Sequence, residues 1–93
     1  MEENAKVVAQ LLRVLANENR LLILCALISG PLTVSEIAAF VPYISQSALS
    51  QHLSVLRANG ILDNRKAGQH NTYFISDHRV EKVMGVLKEY YCQ

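Results

Sequence analysis

The chain has 93 residues, 51% of them hydrophobic, and a formal net charge of +1 at pH 7. This length favours one domain spanning residues 1–93, and so high a hydrophobic fraction excludes an intrinsically disordered chain. No run approaches the roughly 18 apolar residues of a membrane-spanning helix, and the polar start MEENAK is unlike a signal peptide. We therefore expect a cytoplasmic protein with no membrane partner.

Two helices are predicted in the first third of the chain. Apolar residues recur at helical spacing from Lys6 to Ala16. An apolar helix follows, capped by Asn17 or Asn19 and ended by Gly30-Pro31. Because Leu21 to Ile28 offers no polar face, this second helix is expected at the centre of the domain.

Two further helices carry clear start and stop signals. The sequence TVSE, from Thr33 to Glu36, is a capping box that begins a short helix ending at about Phe40. Ser45 caps a longer helix that runs to Asn59-Gly60, a strong C-terminal signal.

The remaining segment predicts a β-hairpin and a last helix. ILDNRKAGQHNTYFIS has no helical stripe, and it contains turn residues at Asp63-Asn64 and Ala67-Gly68 between β-forming residues. Asp77 caps the last helix, which is apolar on one face. A mainly α fold is therefore expected, a winged helix-turn-helix of five helices with two strands as the β-hairpin wing.

The fourth predicted helix has an unusual polar face. Leu49, Leu53 and Leu56 share one narrow arc, and the opposite side carries Ser and Gln without a carboxylate. Residues 45–73 have a net charge of +2, whereas residues 1–44 have −1 and residues 74–93 have zero. Gln can bond adenine at two atoms and Ser can bond bases or phosphates, so this face suits the DNA major groove. The alternative is an ordinary amphipathic helix with an uncharged polar face.

These residues also carry a family resemblance. SQSALSQHLSVLRANGIL, followed by RKAGQHNTYFIS, resembles the ArsR/SmtB family of small dimeric winged-helix repressors, with Arg57, Gly60, Arg65, Gly68 and Tyr73 at the matching places. LANENRLLIL and Asp77 extend the resemblance over nearly the whole chain. The segment FVPYIS is one residue longer than the usual turn, and Gln69 stands at the wing tip where Arg is frequent.

The resemblance implies a homodimer, joined through its first and last helices, that binds a roughly palindromic operator and leaves it when an inducer binds. Apolar stripes at Val7, Leu11, Leu87 and Tyr91 agree, since a core of this size can hardly cover them alone. The expected DNA-contacting residues lie on the fourth helix and the wing: Ser45, Gln46, Ser47, Ser50, Gln51, Ser54, Arg57, Arg65, Lys66, Gln69 and His70.

Neither metal site of the resembled family is intact. LTVSEIA has no Cys where one site places a cysteine pair, and a second site retains Asp77 but has Arg79, Tyr90 and Gln93 at its other positions. Zinc needs about four Cys, His or carboxylate ligands. We find no such cluster, and His52, His70 and His78 are not obvious ligands. No metal or cofactor is expected.

The two cysteines, Cys25 and Cys92, are the candidate sensor. LLILC together with the terminal YYCQ resembles the dithiol branch of the family, in which persulfides, polysulfides or oxidants crosslink the pair. This resemblance implies a repressor released from DNA by reactive sulfur species or an oxidant. Cys25 is otherwise read as a small buried hydrophobic residue, and Cys92 as incidental to function.

Other functions stay open at this point. The same cysteines fit a metal- or arsenite-responsive repressor, and the fold fits an anti-repressor that senses nothing. A thiol enzyme is disfavoured, since neither Cys has a base beside it, so we expect no catalytic residues. A pure dimerisation module is least favoured because of the basic wing.

Overall fold

The computed structural model describes residues 2–91, within which the chain forms five helices and a three-stranded antiparallel sheet. The expected winged helix-turn-helix architecture is confirmed, with one strand more than the predicted hairpin. The elements in chain order are α1 Glu2–Leu15, α2 Glu18–Leu27, β1 Leu32–Thr33, α3 Val34–Phe40, α4 Gln46–Ala58, β2 Leu62–Ala67, β3 His70–Ile75 and α5 His78–Tyr91. Within residues 2–91, no helix has the length and apolar character to cross a membrane.

Side-chain caps fix where α2 and α3 begin. Asn17, rather than Asn19, caps α2, because its Oδ1 accepts a hydrogen bond from the Arg20 amide at 3.1 Å. Both halves of the predicted capping box form at α3: the Glu36 amide donates to Thr33 Oγ1 at 3.2 Å, and the Thr33 amide donates to Glu36 Oε1 at 2.9 Å. These bonds lower the pKa of the Glu36 carboxyl.

The bounds of α4 also follow the sequence signals. Ser45 is the N-cap, and its hydroxyl accepts from the Ala48 amide at 3.0 Å. The helix ends at Ala58, and Gly60 then adopts φ +72°, a backbone conformation that favours glycine. Both ends of α4 are therefore fixed by local residues.

The sheet departs from the predicted hairpin in two ways. The short strand β1 adds to the free edge of β3, with Thr33 opposite Thr72, and two residues are too few to show an alternating pattern. The prediction of a turn at Asp63-Asn64 is wrong, because both residues lie within β2 and pair with β3. The real turn has Gly68 at its first central position with φ +63°, as a type II′ hairpin requires.

Helix α2 lies at the centre of the core, as its apolar sequence predicts. It contacts α3, α4, β3 and α5, and Ile23 and Leu24 are fully buried. The stripe of α4 that faces it is Leu49, Leu53 and Leu56, each 2% exposed or less. Burial of this stripe turns the Ser/Gln side of α4 to the solvent.

Candidate nucleic-acid interface and cysteine cleft

The outer face of α4 is polar and carries a charge only in its last turn. The N-cap and the expected helical contacts are all exposed, namely Ser45, Gln46, Ser47, Ser50, Gln51, Ser54 and Arg57. Residues 45–58 contain no carboxylate, and the only Lys or Arg among them is Arg57 in the last turn. Such a surface offers hydrogen-bond donors and acceptors without repelling phosphate.

His52 does not belong to this outer face. Its side chain is partly buried beside the leucine stripe, and burial, followed by the nearby charge of Arg20, lowers its pKa. Both effects favour the neutral imidazole, so His52 is not assigned a role in attracting phosphate.

The two wing cations project to opposite sides of the hairpin. Arg65 and Lys66 are consecutive in β2, so their side chains alternate between the faces of the sheet. The guanidinium of Arg65 lies over the Phe74 ring, 5.3 Å from its centroid. Phe74 thus orients the guanidinium of Arg65 on one face of the sheet, and the ammonium of Lys66 lies on the other face.

The tip of the wing lies close to the start of α3. Gln69 and His70 are exposed, and they line one cleft together with Thr33 and Ser35. His70 is near enough for its charge to contribute to the lowered pKa of Glu36. The tip, the start of α3 and the wing strands therefore form one surface.

Cys25 lies half-buried between two clefts. A cleft of about 190 Å³ has an apolar wall that includes Met84 and Tyr91 of α5. A second cleft of about 310 Å³ includes Ser29 and Lys88, whose Nζ donates a hydrogen bond to the Ser29 hydroxyl at 3.1 Å. Cys92 lies outside the described residues, as does Gln93, but its sequence neighbour Tyr91 shares a cleft with Cys25.

The retained acidic residue of the second metal site is engaged by an arginine. The Arg79 guanidinium lies 3.0 Å from Asp77 Oδ2, and its hydrogen bonds hold the pKa of the Asp77 carboxyl below its usual range. Asp77 also caps α5 as predicted, accepting from the Arg79 amide at 2.9 Å. Within the described residues, no three His, Cys, Asp or Glu side chains form a group able to hold a metal ion.

Apolar side chains are exposed along α1 and α5. On α1, Val7 is 57% exposed and Leu12 is 54% exposed. On α5, Val86, Tyr90 and Tyr91 are 55%, 70% and 81% exposed. Two members of the predicted stripes, Leu11 and Leu87, are only partly buried. These two helices therefore carry apolar surface that the core does not use.

Comparison with known proteins identifies the family. The sequence matches "Bacterial regulatory protein, arsR family" over residues 17–64. The transcriptional activator HlyU of Vibrio cholerae is 42% identical over 93 residues, which cover 100% of this chain and 85% of that protein. The chain belongs to the arsR family. It is thus a transcriptional regulator of a DNA-binding family, and the relatives named here are regulators rather than enzymes.

The similarity to a solved arsR-family relative extends over the whole of this chain. The solved structure of reduced HlyU from Vibrio cholerae N16961 has a TM-score of 0.92 at 42% identity, covering 100% of this chain and 97% of that one. The biofilm growth-associated repressor of Agrobacterium fabrum is 36% identical over 92 residues, covering 99% of this chain and 78% of that protein. Both an activator and a repressor are therefore among its relatives.

Three features of the site were not predicted from the sequence. The contact of Arg65 with the Phe74 ring joins two strands, so it can be predicted only when the pairing register of those strands is known. The Lys88–Ser29 hydrogen bond joins residues 59 positions apart, and no local pattern signals it. Tyr43 is 68% exposed just before α4, and its only sequence signal is an aromatic residue directly after Pro42 in the turn.

Proposed function

We propose that residues 1–93 form one domain that acts in the cytoplasm as a homodimeric repressor, with α4 of each subunit in the major groove of a roughly palindromic operator. The observation that carries this proposal is the exposed Ser/Gln face of α4, opposite a buried leucine stripe. A second helix of a helix-turn-helix places its outer face against base edges. Short hydroxyl and amide side chains allow that close approach.

Positive charge at the border of this face supplies the attraction for the DNA backbone. Arg57 ends α4, and Arg65 and Lys66 lie on opposite sides of the wing, where Gln69 and His70 form the tip. Phosphate contacts position a protein on the duplex, whereas contacts with bases read the sequence. The sequence preference is therefore assigned to α4, and the salt dependence to the three cations.

The second subunit is proposed to cover the exposed apolar faces of α1 and α5. Val7, Leu12, Val86 and Tyr90 are each at least half exposed, and all lie on these two helices. A two-fold interface uses the same patch on both subunits, and it places two copies of α4 one turn of DNA apart. The expected operator therefore has two half-sites.

Selection of DNA from a random pool, followed by measurement of binding isotherms, tests the proposed operator binding. We expect duplexes selected from a random pool to contain an inverted repeat, and to bind far more tightly than scrambled duplexes in fluorescence anisotropy. The logarithm of the binding constant is expected to fall linearly with the logarithm of salt concentration. Equal affinity for selected and scrambled duplexes at moderate salt would contradict the proposal.

The proposed input is reaction of Cys25 and Cys92 with a low-molecular-weight persulfide or another oxidant. The Cys25 thiolate attacks the terminal sulfur of a hydropersulfide RSSH, which gives a Cys25 persulfide and releases RS⁻. The Cys92 thiolate then attacks the Cys25 sulfur, forming a disulfide and releasing HS⁻. The two thiols lose two electrons, and the sulfane sulfur gains them. If a second RSSH has also converted Cys92 to a persulfide, with release of RS⁻, its attack on the inner sulfur of the Cys25 persulfide gives a trisulfide bridge and releases HS⁻.

Two observations support this chemistry. Cys25 faces a cleft that also contains Tyr91, the residue next to Cys92, and the cleft lies between α2 and α5. A crosslink from α2 to the end of α5 would act on a helix that carries the proposed dimer face. One relative, HlyU, has also been solved in a form described as reduced.

Intact-mass measurement tests the input separately from the output. After treatment with glutathione persulfide, we expect loss of two hydrogens, or that loss plus whole sulfur atoms, together with release from the operator. Cys25→Ser is expected to bind operator and to ignore the persulfide. A response of Cys25→Ser equal to that of the unsubstituted chain would refute the dithiol mechanism.

The same samples distinguish the other inputs and the direction of control. Release by zinc or arsenite, but not by persulfide, would assign a metal-responsive repressor that uses the same cysteines. Sustained turnover of persulfide would indicate an enzyme. Consumption that stops after one or a few equivalents per Cys25–Cys92 pair would indicate a sensor. Transcription with purified polymerase should fall when the protein is added; a rise only in the presence of a second repressor would indicate an anti-repressor.

A further inference from the structure

The turn between α3 and α4 holds one aromatic side chain outward. The Ile44 amide donates to the Val41 carbonyl at 3.3 Å, which closes a four-residue turn with Pro42 and Tyr43 at its corner. Val41 is 1% exposed, and Ile44 packs against the core, whereas Tyr43 is 68% exposed. Because both flanking residues are anchored and Pro42 has a fixed φ, the backbone sets the position of Tyr43.

This corner adjoins the end of α4 that meets the DNA. Tyr43 stands two residues before Ser45, the N-cap of α4. In helix-turn-helix proteins, the N-terminal residues of the second helix contact base edges, and the preceding helix crosses the DNA backbone. The turn that joins the two helices therefore lies beside the backbone.

The N-terminal end of α4 has no charged side chain that could bind phosphate. The only Lys or Arg of α4 is Arg57, at the opposite end of the helix, and residues 37–45 contain neither a cation nor a carboxylate. Tyrosine is among the side chains that bond phosphate oxygens, and its hydroxyl is a donor. We propose that the Tyr43 hydroxyl donates a hydrogen bond to a backbone phosphate beside the N-terminal end of α4, and so fixes how the helix enters the groove. This inference rests on the proposed docking of α4.

Tyr43→Phe tests the contact, since it removes one oxygen and leaves the ring. We expect binding to weaken about tenfold for each half-site, and so about 100-fold for the dimer, because a hydrogen bond to a charged group is lost in each half-site. The loss should be equal for selected and scrambled duplexes, and the salt dependence should stay unchanged, since no charge is removed. In ethylation interference, one phosphate per half-site should lose its effect in Tyr43→Phe only.

Tyr73→Phe is the matched control, because it removes the same oxygen from a tyrosine of β3 that packs against the core, outside the proposed DNA contacts and dimer face. It should bind DNA like the unsubstituted chain. Unchanged affinity of Tyr43→Phe, with an unchanged thermal melt, would overturn the phosphate contact. So would a loss seen with Tyr43→Ala but not with Tyr43→Phe, which would indicate a contact of the ring alone. Failure of the unsubstituted chain to bind any duplex would instead overturn the proposed function.

Discussion

Replacing Gln51 with Glu is the sharpest perturbation of the proposed reading face. The substitution keeps the shape of the side chain and exchanges an amide for a carboxylate. Gln51 is exposed in the middle of α4, on the side opposite Leu49 and Leu53. The free energy of unfolding should therefore change by less than about 0.5 kcal/mol, as for surface substitutions generally. Any larger effect on DNA binding then belongs to the interface.

The magnitude follows from the charge placed near the phosphates. A carboxylate about 4 Å from a phosphate is repelled by about 1 kcal/mol in bulk water, and by about 4 kcal/mol at the lower effective dielectric near a protein surface. One carboxylate enters each half-site. Even the lower value then predicts about 30-fold weaker binding, since about 1.4 kcal/mol is a factor of ten.

Fluorescence anisotropy with the selected duplex, at two salt concentrations, measures this loss. The matched control is Gln10→Glu, which makes the same exchange at an exposed position of α1. Gln10→Glu should bind within a factor of about three of the unsubstituted chain, because long-range repulsion is screened beyond about 10 Å at 0.1 M salt. Equal affinity of Gln51→Glu and Gln10→Glu would show that the outer face of α4 does not enter the groove.

Three other substitutions test the core, the α5 cap and the dimer face. Leu53→Ala should lower the free energy of unfolding in urea by about 2–5 kcal/mol, because the side chain is 2% exposed, whereas Ser54→Ala should change it by under about 0.5 kcal/mol. The folded-state pKa of Asp77 is depressed, so its contribution exists at neutral pH and is lost as pH falls through the acidic range. Asp77→Asn, which keeps a capping oxygen, should therefore lose less stability between about pH 5 and pH 2 than the unsubstituted chain; parallel pH profiles would contradict this. Val86→Glu should sediment as a monomer at concentrations where Ala39→Glu, also at an exposed position, remains a dimer, and an unchanged dimer would remove α5 from the interface.

Features that depend on neighbouring residues were predictable from the sequence. The caps at Thr33, Ser45 and Asp77 all formed as predicted, because a capping bond spans only two or three residues. The exposed face of α4 also followed from its leucine spacing, since burial of one stripe fixes the other. These elements carry most of the proposed DNA contacts.

Features that depend on pairing between distant segments were not predictable. Asp63 and Asn64 favour turns locally, yet in the sheet Asn64 lies opposite Tyr73, and its amide Nδ2 donates to Asn71 Oδ1 at 2.9 Å. Strand β1 is only two residues long and owes its existence to the edge of β3. For the same reason, the sequence did not show that Arg65 and Lys66 face opposite sides.

The proposed input and output meet on one rigid element, which constrains how the switch can work. Helix α2 presents Cys25 to the clefts beside α5, while Ile23 and Leu24 are fully buried in the core that includes the leucine stripe of α4. A close-packed core resists internal rearrangement, so a bridge at Cys25 would not reshape α4 itself. On the proposed mechanism it displaces α5, and with it the partner subunit. Half-sites lie one helical turn of about 34 Å, or about ten base pairs, apart, so a shift of about 3.4 Å between the two reading helices is one base-pair step. On the proposed mechanism, a bridge that leaves each subunit's fold unchanged needs to shift the two copies of α4 by only this distance to move them out of register with the operator.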